Sequence, residues 1–216
     1  IVFIGYVIKK APEFDVSQLE RSESSILYDI NNNAFAELGT EKREKITYDE
    51  MSQTFIDALI ATEDSRFFQH NGFDAARFLK ASIQQVLHSS GGGASTLSMQ
   101  VIKNSFTDAN LDEGFEGIVR KFTDIYLAVF KLEKTYSKQE IIEFYVNVHN
   151  MGGSAYGVEQ ASQTYFGKHA SELNLAEASL LAGLFKSPNA YNPFKNLDAA
   201  TARRNTVLNL MVMHGY

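Results

Sequence analysis

The 216-residue sequence contains no cysteine and no tryptophan, and it has only three prolines. Without cysteine the chain can form neither a disulfide framework nor a thiolate nucleophile. Its formal net charge of −6 at pH 7 argues against nucleic acid as a partner, because nucleic-acid binding depends on basic surface. The hydrophobic fraction of 44% is high enough for a buried core, which excludes a disordered tail.

Several common catalytic motifs are also missing. The five histidines are scattered and form no H-E-x-x-H motif, which disfavours a zinc site. The glycine-rich segment 91–96 lacks the G-x-x-x-x-G-K-[ST] spacing of a nucleotide-binding P-loop. No G-x-S-x-G nucleophile elbow is found either, so a serine hydrolase of that type is disfavoured.

The chain begins with an apolar run, "IVFIGYVI", which is followed by Lys9 and Lys10. Eight residues cannot cross a bilayer, because a transmembrane helix needs about 20. Two interpretations stay open, a buried strand or the end of a transmembrane anchor. We assign residues 1–10 to the end of a single-pass anchor and residues 11–47 to a linker.

The sequence of the linker predicts a β-hairpin, and the sequence of the rest of the chain predicts helices. Short β-prone runs lie near Ile26–Asp29 and Ala34–Leu38, with three turn-prone asparagines between them. From residue 48 onward the spacing of apolar residues is helical. We expect a mainly α body over residues 48–216, with helices at 52–70, 117–136, 137–147, 170–185 and 197–213 and a proline-containing loop at 186–196.

The most regular helical pattern lies in residues 117–136. An apolar residue recurs there every three or four positions, at Ile118, Phe122, Ile125, Val129 and Leu132. This stripe predicts a strongly amphipathic helix. Arg120 and Asp124 lie one turn apart away from the stripe, and in isolation they predict an exposed ion pair worth about 0.3–0.5 kcal/mol.

A pair of carboxylates, Glu63 and Asp64, ends the apolar run before Arg66. If the helix continues to residue 70, Glu63, Arg66, Phe67 and His70 share one face. The ordinary interpretation is a solvated charge cluster at a helix end. The functional interpretation is a partly desolvated carboxylate that acts as a general base, with Arg66 holding an anionic substrate group.

The segment 89–106 leads from three glycines into Ser95, Thr96 and a helical run. Glycine allows a backbone to approach a ligand closely, and a helix N-terminus offers free N–H groups to phosphate. Thr96, Gln100 and Lys103 or Asn104 fall on one helical face. A flexible loop with an ordinary helix cap explains the same residues, so this segment alone is weak support for a binding site.

Taken in order, these segments resemble the motifs of glycosyltransferase family 51, the peptidoglycan glycosyltransferase module of class A penicillin-binding proteins. "ATEDSRFFQHNGFD" keeps the E-D-x-x-F-x-x-H-x-G-x-D frame of the first motif, and "GASTLSMQVIKN" resembles the second. "RKFTD" stands where the family has R-K-x-x-E, so Asp124 is a shorter carboxylate than the usual Glu. The resemblance continues through "KLEKTYSKQEIIEFYVN" and covers roughly residues 20–216.

The resemblance implies a lysozyme-like domain with a larger helical lobe, a smaller membrane-facing lobe and a cleft between them. It implies polymerisation of lipid II into β-1,4 glycan strands with inversion and release of undecaprenyl pyrophosphate. The implied partners are lipid II, the growing glycan and the bacterial cell membrane, with the catalytic domain on its outer face. The hairpin is similar to the linker of bifunctional members, which implies a C-terminal transpeptidase domain beyond this sequence.

The resemblance also implies a role for each motif residue. Glu63 is the expected catalytic base, and Asp124 is the second catalytic carboxylate. The expected substrate-binding residues are Arg66, Ser95, Thr96, Gln100, Lys103, Asn104, Arg120 and Lys121. The expected structural supports of the site are Asp64, Phe67, His70 and Gly72. A divalent cation, Mg²⁺ or Mn²⁺, is expected with the pyrophosphate near Asp124, and no organic cofactor is expected.

Two other functions stay open at this point. A lysozyme-like glycan hydrolase would share the fold and the catalytic Glu, but it would have no pyrophosphate to neutralise. A catalytically silent cell-wall scaffold domain is the second alternative, and the shorter acid at position 124 supports it. The segment 73–88 is either an ordinary core helix or an amphipathic helix that dips into the membrane, and residues 106–117 show little periodicity.

Overall fold

A computed structural model describes the chain except at residues 1, 20–24, 29, 31–33, 39–41, 87–92, 109–110 and 112. Its contacts divide the chain into two compact units. The first unit comprises Ile1–Glu20 and Arg66–Tyr145, and the second comprises Arg21–Ser65 and Val146–Tyr216. Helices predominate in both units, which confirms the predicted mainly α fold.

Ten α-helices are found in the described part of the chain. In chain order they are α1 (Val2–Lys10), α2 (Gln53–Glu63), α3 (Ala75–Val86), α4 (Leu97–Ser105), α5 (Gly114–Leu127), α6 (Glu133–Thr135), α7 (Lys138–Val148), α8 (Val158–Phe166), α9 (Leu175–Leu184) and α10 (Leu197–His214). A π-helical stretch, Ala128–Leu132, connects α5 to α6. Short 3₁₀ helices cover Val16–Gln18, Tyr48–Glu50, Phe67–Gln69 and Ala170–Glu172.

The predicted hairpin is present in the second unit. Strands β1 (Ser25–Tyr28) and β2 (Ala34–Leu38) pair antiparallel, with Ser25 opposite Leu38 and a bulge where the register shifts between Leu27 and Tyr28. The predicted asparagine turn and Asp29 lie outside the described residues. Two further short strands, β3 (Lys42–Arg43) and β4 (Ala155–Tyr156), pair in parallel.

Helices α2, α9 and α10 pack on one another and form the core of the second unit. Small and medium apolar side chains meet there, at Ala58, Ala61, Ala182, Val207 and Met211. The helices approach closely, because a Cβ added at Gly183 would lie 2.9 Å from the Cγ of Arg203. Helix α2 begins at the Ser52 cap, whose Oγ accepts from the Phe55 N–H at 3.2 Å, so its apolar face is held from its first turn onward.

The apolar start of the chain forms helix α1, so the buried-strand interpretation is wrong. Val7 is buried, but Val2, Ile4 and Ile8 are exposed. The helix packs against α5, where the ring centroid of Phe3 lies 5.2 Å from that of Phe122. Among the described residues, no helix combines the length and the apolar character that crossing a bilayer requires.

The helix predicted over 52–70 ends earlier than expected. Helix α2 stops at Glu63, because Asp64 leaves helical geometry with φ −157° and ψ 74°. A turn and the 3₁₀ helix Phe67–Gln69 follow. The prediction that Glu63 shares one helical face with Arg66, Phe67 and His70 is therefore wrong.

The apolar stripe predicted in residues 117–136 is partly exposed on helix α5. Ile118 is 53% exposed and Phe122 is 41% exposed, whereas Thr123 and Asp124 are buried. The π-helical stretch breaks the α-helical register after residue 127, so the two ends of the stripe cannot share one continuous face. Leu132, beyond this break, is fully buried.

Helix α3, in the segment 73–88, also exposes apolar side chains. Its Leu79 is 61% exposed and its Ile83 is 50% exposed, and the two lie one turn apart. These side chains do not belong to a core, so the interpretation of an ordinary core helix does not hold for this face.

Candidate active site

Glu63 is the last residue of α2 and is half-buried. The middle of the helix that carries it is packed, since every residue from Ala58 to Ala61 is buried. Asp64, which follows, is fully buried, and its N–H donates to the Ile60 carbonyl at 3.0 Å. The second unit therefore holds this carboxylate at the end of a packed apolar helix.

Arg66 forms a two-pronged ion pair with Asp74 in the first unit. Its Nε lies 2.8 Å from Asp74 Oδ2, and a guanidinium Nη contacts Oδ1. Asp74 also accepts from the Arg77 N–H at 2.9 Å, which ties it to the first turn of α3. Burial acts to raise the pKa of Asp74, but the hydrogen bonds from Arg66 and Arg77 outweigh it and hold the pKa below its usual value.

Asp74 is a site residue that the sequence analysis did not single out. It is the last residue of the first-motif frame, and that was the signal available in the sequence. The guanidinium of Arg66 is 47% exposed on its side chain, so it is both anchored by Asp74 and open to solvent. An anchored, exposed guanidinium is suited to meeting an anionic oxygen.

Thr96 caps the N-terminus of α4 and joins the first two motifs. Its Oγ1 accepts from the Met99 N–H at 3.2 Å and donates to the Gly72 carbonyl at 2.7 Å. Gly72 has φ +85°, and a Cβ there would lie 2.9 Å from the carbonyl carbon of Ala128, so only glycine fits. Thr96 is fully buried, which makes it a fixed cap within this cluster.

The other predicted residues of the second motif lie beside Thr96. Ser95 directly precedes the cap and is half-buried. Gln100, Lys103 and Asn104 lie on α4 and are also half-buried. Tyr145, fully buried, donates from its hydroxyl to Gln100 Oε1 at 3.2 Å, and the sequence analysis did not identify this contact.

Asp124 and Arg120 form a buried ion pair on α5. Asp124 Oδ2 accepts from an Arg120 Nη at 2.5 Å, and Oδ1 accepts from Thr107 Oγ1 at 2.8 Å. Arg120 Nε also donates to the Leu111 carbonyl at 2.9 Å. The side chains of Arg120 and Asp124 are only 10% and 4% exposed, so the prediction of an exposed pair from the isolated pattern is wrong.

Three cations surround this one carboxylate. Burial raises the pKa of Asp124 to about 6, against the lowering effects of the Thr107 hydrogen bond and of the charges on Arg120, Lys103 and Lys121. Lys121 lies close to α3, with its Nζ 6.0 Å from the Phe78 ring centroid. The cluster carries more positive than negative charge, which suits an anionic ligand.

The predicted structural supports lie around the turn 67–72. Phe67 is fully buried, and the His70 ring lies 6.1 Å from it in an edge-on arrangement. The Lys138 Nζ lies 4.2 Å from the Phe67 ring centroid. A cation over an aromatic face is favourable, so both Lys138 and His70 pack against Phe67 in this turn.

The described residues contain no group of three or more side chains suited to hold a metal ion. Both carboxylate oxygens of Asp124 are engaged, one by Thr107 and the other by Arg120. The residues present therefore do not fit a protein-held divalent cation at Asp124.

Comparison with known proteins places the chain in a family. The transglycosylase family model matches residues 31–212. Penicillin-binding protein 1A/1B of Bacillus subtilis is 39% identical, with 100% of this chain and 23% of that protein aligned. Penicillin-binding protein 1A of Streptococcus oralis is 37% identical over 98% of this chain and 33% of that protein, and the Escherichia coli protein of that name is 37% identical over 88% and 22%.

A crystal structure of penicillin-binding protein 1A from Haemophilus influenzae also matches, with 26% identity and a TM-score of 0.47, over 89% of this chain and 18% of that chain. The chain thus spans a third or less of the length of these relatives. The extent of the family match confirms the predicted family and enzyme class. On this basis the chain belongs to the transglycosylase family, as the glycosyltransferase module that it shares with the class A penicillin-binding proteins.

Proposed function

We propose that this chain transfers a growing glycan from a polyprenyl pyrophosphate to the sugar 4-hydroxyl of lipid II, forming a β-1,4 link. Membership of the transglycosylase family supports the reaction type. The observation that carries the proposal is the cationic cluster around Asp124, built from Arg120, Lys103 and Lys121. A pyrophosphate leaving group needs such a cluster, whereas a glycan hydrolase has no comparable anion to meet.

Glu63 is proposed as the general base. A sugar hydroxyl is a weak nucleophile, and a positioned base contributes on the order of 10²–10⁴-fold. The α-linked pyrophosphate is displaced by the hydroxyl in one step, so the anomeric carbon inverts and no covalent enzyme intermediate forms. The proton of the attacking hydroxyl passes to the Glu63 carboxylate, and the electron pair of the broken C–O bond leaves on the pyrophosphate.

Arg120 is proposed to meet the departing pyrophosphate together with Lys103 and Lys121. Asp124 holds the Arg120 guanidinium in place, because its Oδ2 binds one of the terminal nitrogens. The guanidinium therefore needs little movement as negative charge develops on the pyrophosphate. Charges that are already in place stabilise a transition state most effectively. Asp124 is thus proposed to act through Arg120, despite being shorter than the usual Glu.

The remaining motif residues are proposed to orient the substrates. Arg66, anchored by Asp74, would hold a phosphate, and Ser95, Gln100 and Asn104 would contact sugar or phosphate oxygens. A divalent cation, Mg²⁺ or Mn²⁺, would arrive on the pyrophosphate oxygens rather than on a set of protein ligands. No step of the reaction proposed above depends on it.

Membrane association on the outer face of a bacterial cell is part of the same proposal. A lipid-tailed substrate has to be met near the bilayer, and the first unit exposes apolar side chains suited to that surface, including Leu79, Ile83, Phe115 and Ile118. The anchor at residues 1–10 and a C-terminal transpeptidase domain are proposed for the whole protein.

The test is incubation of the protein with lipid II and analysis of the products for polymer. Polymer formed by the wild type and lost in Glu63→Gln supports the proposal. Asp57→Asn is the matched control, because Asp57 lies on the same helix and its Oδ1 accepts from the neighbouring Gln53 Nε2 at 2.8 Å. Cleavage of finished glycan without polymer would establish the hydrolase, and neither activity in a folded protein would establish the silent scaffold.

A further inference from the structure

Glu133 is a buried carboxylate of the first unit that the proposed reaction does not use. It lies at the start of α6, directly after the π-helical stretch, and its side chain is 5% exposed. Its Oε1 accepts from Ser98 Oγ at 2.5 Å and from Lys138 Nζ at 2.7 Å. A carboxylate is rarely buried unless its partners are fixed, so this site connects α4, α6 and α7 at one oxygen atom.

The same carboxylate borders the turn of the first motif. A Cβ added at Gly72 would lie 3.1 Å from Glu133 Cγ, so the turn and Glu133 are in close contact. Lys138, its ion-pair partner, stands over the Phe67 ring at 4.2 Å. Glu133 and Lys138 thus touch both ends of the turn 67–72.

Helix α4 is fastened to this assembly at two points in its first turn. Thr96 Oγ1 donates to the Gly72 carbonyl, and Ser98 Oγ donates to Glu133. Thr96 is the N-cap and Ser98 lies in the first turn, so the end of the helix and its first turn each have a contact of their own. Two contacts at different residues restrain the rotation of a helix about its axis, which a single contact would leave free.

We propose that Glu133, through Ser98 and Lys138, is a positioning residue that sets the rotation of α4 and so the direction in which Gln100 and Asn104 face the substrate. Gln100 and Asn104 follow Thr96 at intervals of four residues and lie on its side of the helix. This inference rests on the proposed role of these residues in substrate binding. A small displacement of a binding group weakens its contacts with the substrate, and a loss of substrate binding is measured as a rise in KM.

The kinetic test compares Glu133→Gln, Ser98→Ala and the double variant with Glu140→Ala. Glu140 is the matched control, because its carboxylate also closes a helix start, accepting from Ser137 N and Oγ at 2.7 Å each, but it is exposed. We expect KM for lipid II to rise about tenfold in Glu133→Gln and less in Ser98→Ala, because ground-state binding is lost. The carboxamide oxygen of Glu133→Gln can still accept from the Ser98 hydroxyl, so the double variant should raise KM above Glu133→Gln by no more than Ser98→Ala raises it above the wild type.

The control should leave KM unchanged. Loss of the Glu140 cap lowers the folded fraction and hence the apparent kcat, but molecules that remain folded bind substrate as before. A rise in KM confined to the Glu133 and Ser98 variants supports the positioning role. Equal KM values in all variants would overturn it.

A second measurement is independent of activity. Hydrogen exchange at the Met99 amide reports the first turn of α4, because this N–H donates to Thr96 Oγ1. We expect exchange at Met99 to quicken about tenfold in Glu133→Gln and Ser98→Ala but not in Glu140→Ala. If Glu133→Gln fails to fold, Ser98→Ala, which loses a single hydroxyl, decides the question.

The two proposals fail in different ways. If the wild type makes no polymer, the proposed function is wrong, while the Met99 exchange still decides whether Glu133 fixes α4. If the wild type makes polymer and Met99 exchanges equally in the wild type and in the Glu133 and Ser98 variants, only the positioning inference is wrong.

Discussion

Helix α5 of the first unit and helix α9 of the second differ in what they bury. Helix α9 buries Ala178, Leu181, Ala182 and Leu184. Helix α5 buries Leu127 but also Thr123 and Asp124, and it exposes Ile118 and Phe122. Helix α9 is thus packed mainly through apolar side chains, whereas α5 buries an ion pair beside its apolar residues.

The comparison extends to the titratable groups. In the second unit, burial lowers the pKa of His149 to about 4, even though its Nε2 lies 3.1 Å from the Phe185 carbonyl. In the first unit, burial raises the pKa of Asp124 to about 6. A neutral histidine completes an apolar core, but a carboxylate among cations is an arrangement suited to a ligand.

The largest expected effect on stability is in the first unit, from Arg120→Met. It leaves Asp124 buried without its partner, which costs about 4 kcal/mol in the free energy of unfolding. Adding Asp124→Asn should restore most of that loss, because the uncompensated charge is gone. Urea denaturation of the two variants measures this, and an Arg120→Met protein as stable as the wild type would mean that the pair contributes nothing.

The next prediction compares the effect on stability of removing an apolar side chain from α9 and from α5. Leu181→Ala in α9 should cost about 3 kcal/mol of unfolding free energy, because it removes a fully buried side chain. Ile118→Ala in α5 should change stability by no more than about 0.5 kcal/mol, because that side chain already faces solvent. Paired denaturation curves check this, and equal losses would show that α5 is covered by other residues.

The low pKa of His149 makes the free energy of unfolding decrease in acid. The unfolded chain takes up a proton below the usual pKa of 6.5 and the folded chain only near 4, so stability falls as pH drops through that window. The free energy of unfolding should change by about 3 kcal/mol across this pH window. In His149→Gln the unfolding free energy should depend less on pH between these values, and an unchanged slope would mean that this histidine does not titrate differently on folding.

The raised pKa of Asp124 has the opposite effect on the pH dependence of the free energy of unfolding. The folded chain holds the proton up to about pH 6 and the unfolded chain only up to the usual 3.8, so this group favours folding in acid and its contribution is lost as pH rises through that window. The change is about 3 kcal/mol. Asp124→Asn should remove it, and denaturation of both proteins across the same pH range makes the comparison.

The smallest effect is expected for Asp124→Glu, which restores the acid usual in the family. Inserting one methylene into the buried pair should cost about 1 kcal/mol of stability. Polymerisation should be kept or increased, since the longer acid can still reach Arg120. A large loss of polymer in the lipid II assay would instead show that Thr107 and Arg120 are fitted to the shorter side chain.

Much of the fold could be predicted from the sequence. The hairpin and most helices were expected near their observed places, because turn residues, caps and apolar spacing act over a few residues. The motif residues were also identified, although their roles remain proposals. The end of α2 at Glu63 could not be read from the sequence, since the backbone conformation of Asp64 decides it.

The exposed ion pair expected at Asp124 was wrong, and the exposure of Ile118 was not predicted. Apolar periodicity shows that a helix has two unlike faces, but it does not show what lies against each face. Asp74, Tyr145 and Glu133 were missed for a related reason. Each acts on a residue in another segment, at Arg66, Gln100 and Ser98 respectively, and such contacts leave no local pattern.

The order and spacing of residues alone determined the family of this protein and the side chains available to its chemistry, because motifs and helix signals are local properties of the chain. Only the tertiary structure decided which of those side chains lose contact with water. Burial sets the pKa of Asp124 and of His149, and it depends on neighbours that are distant in sequence.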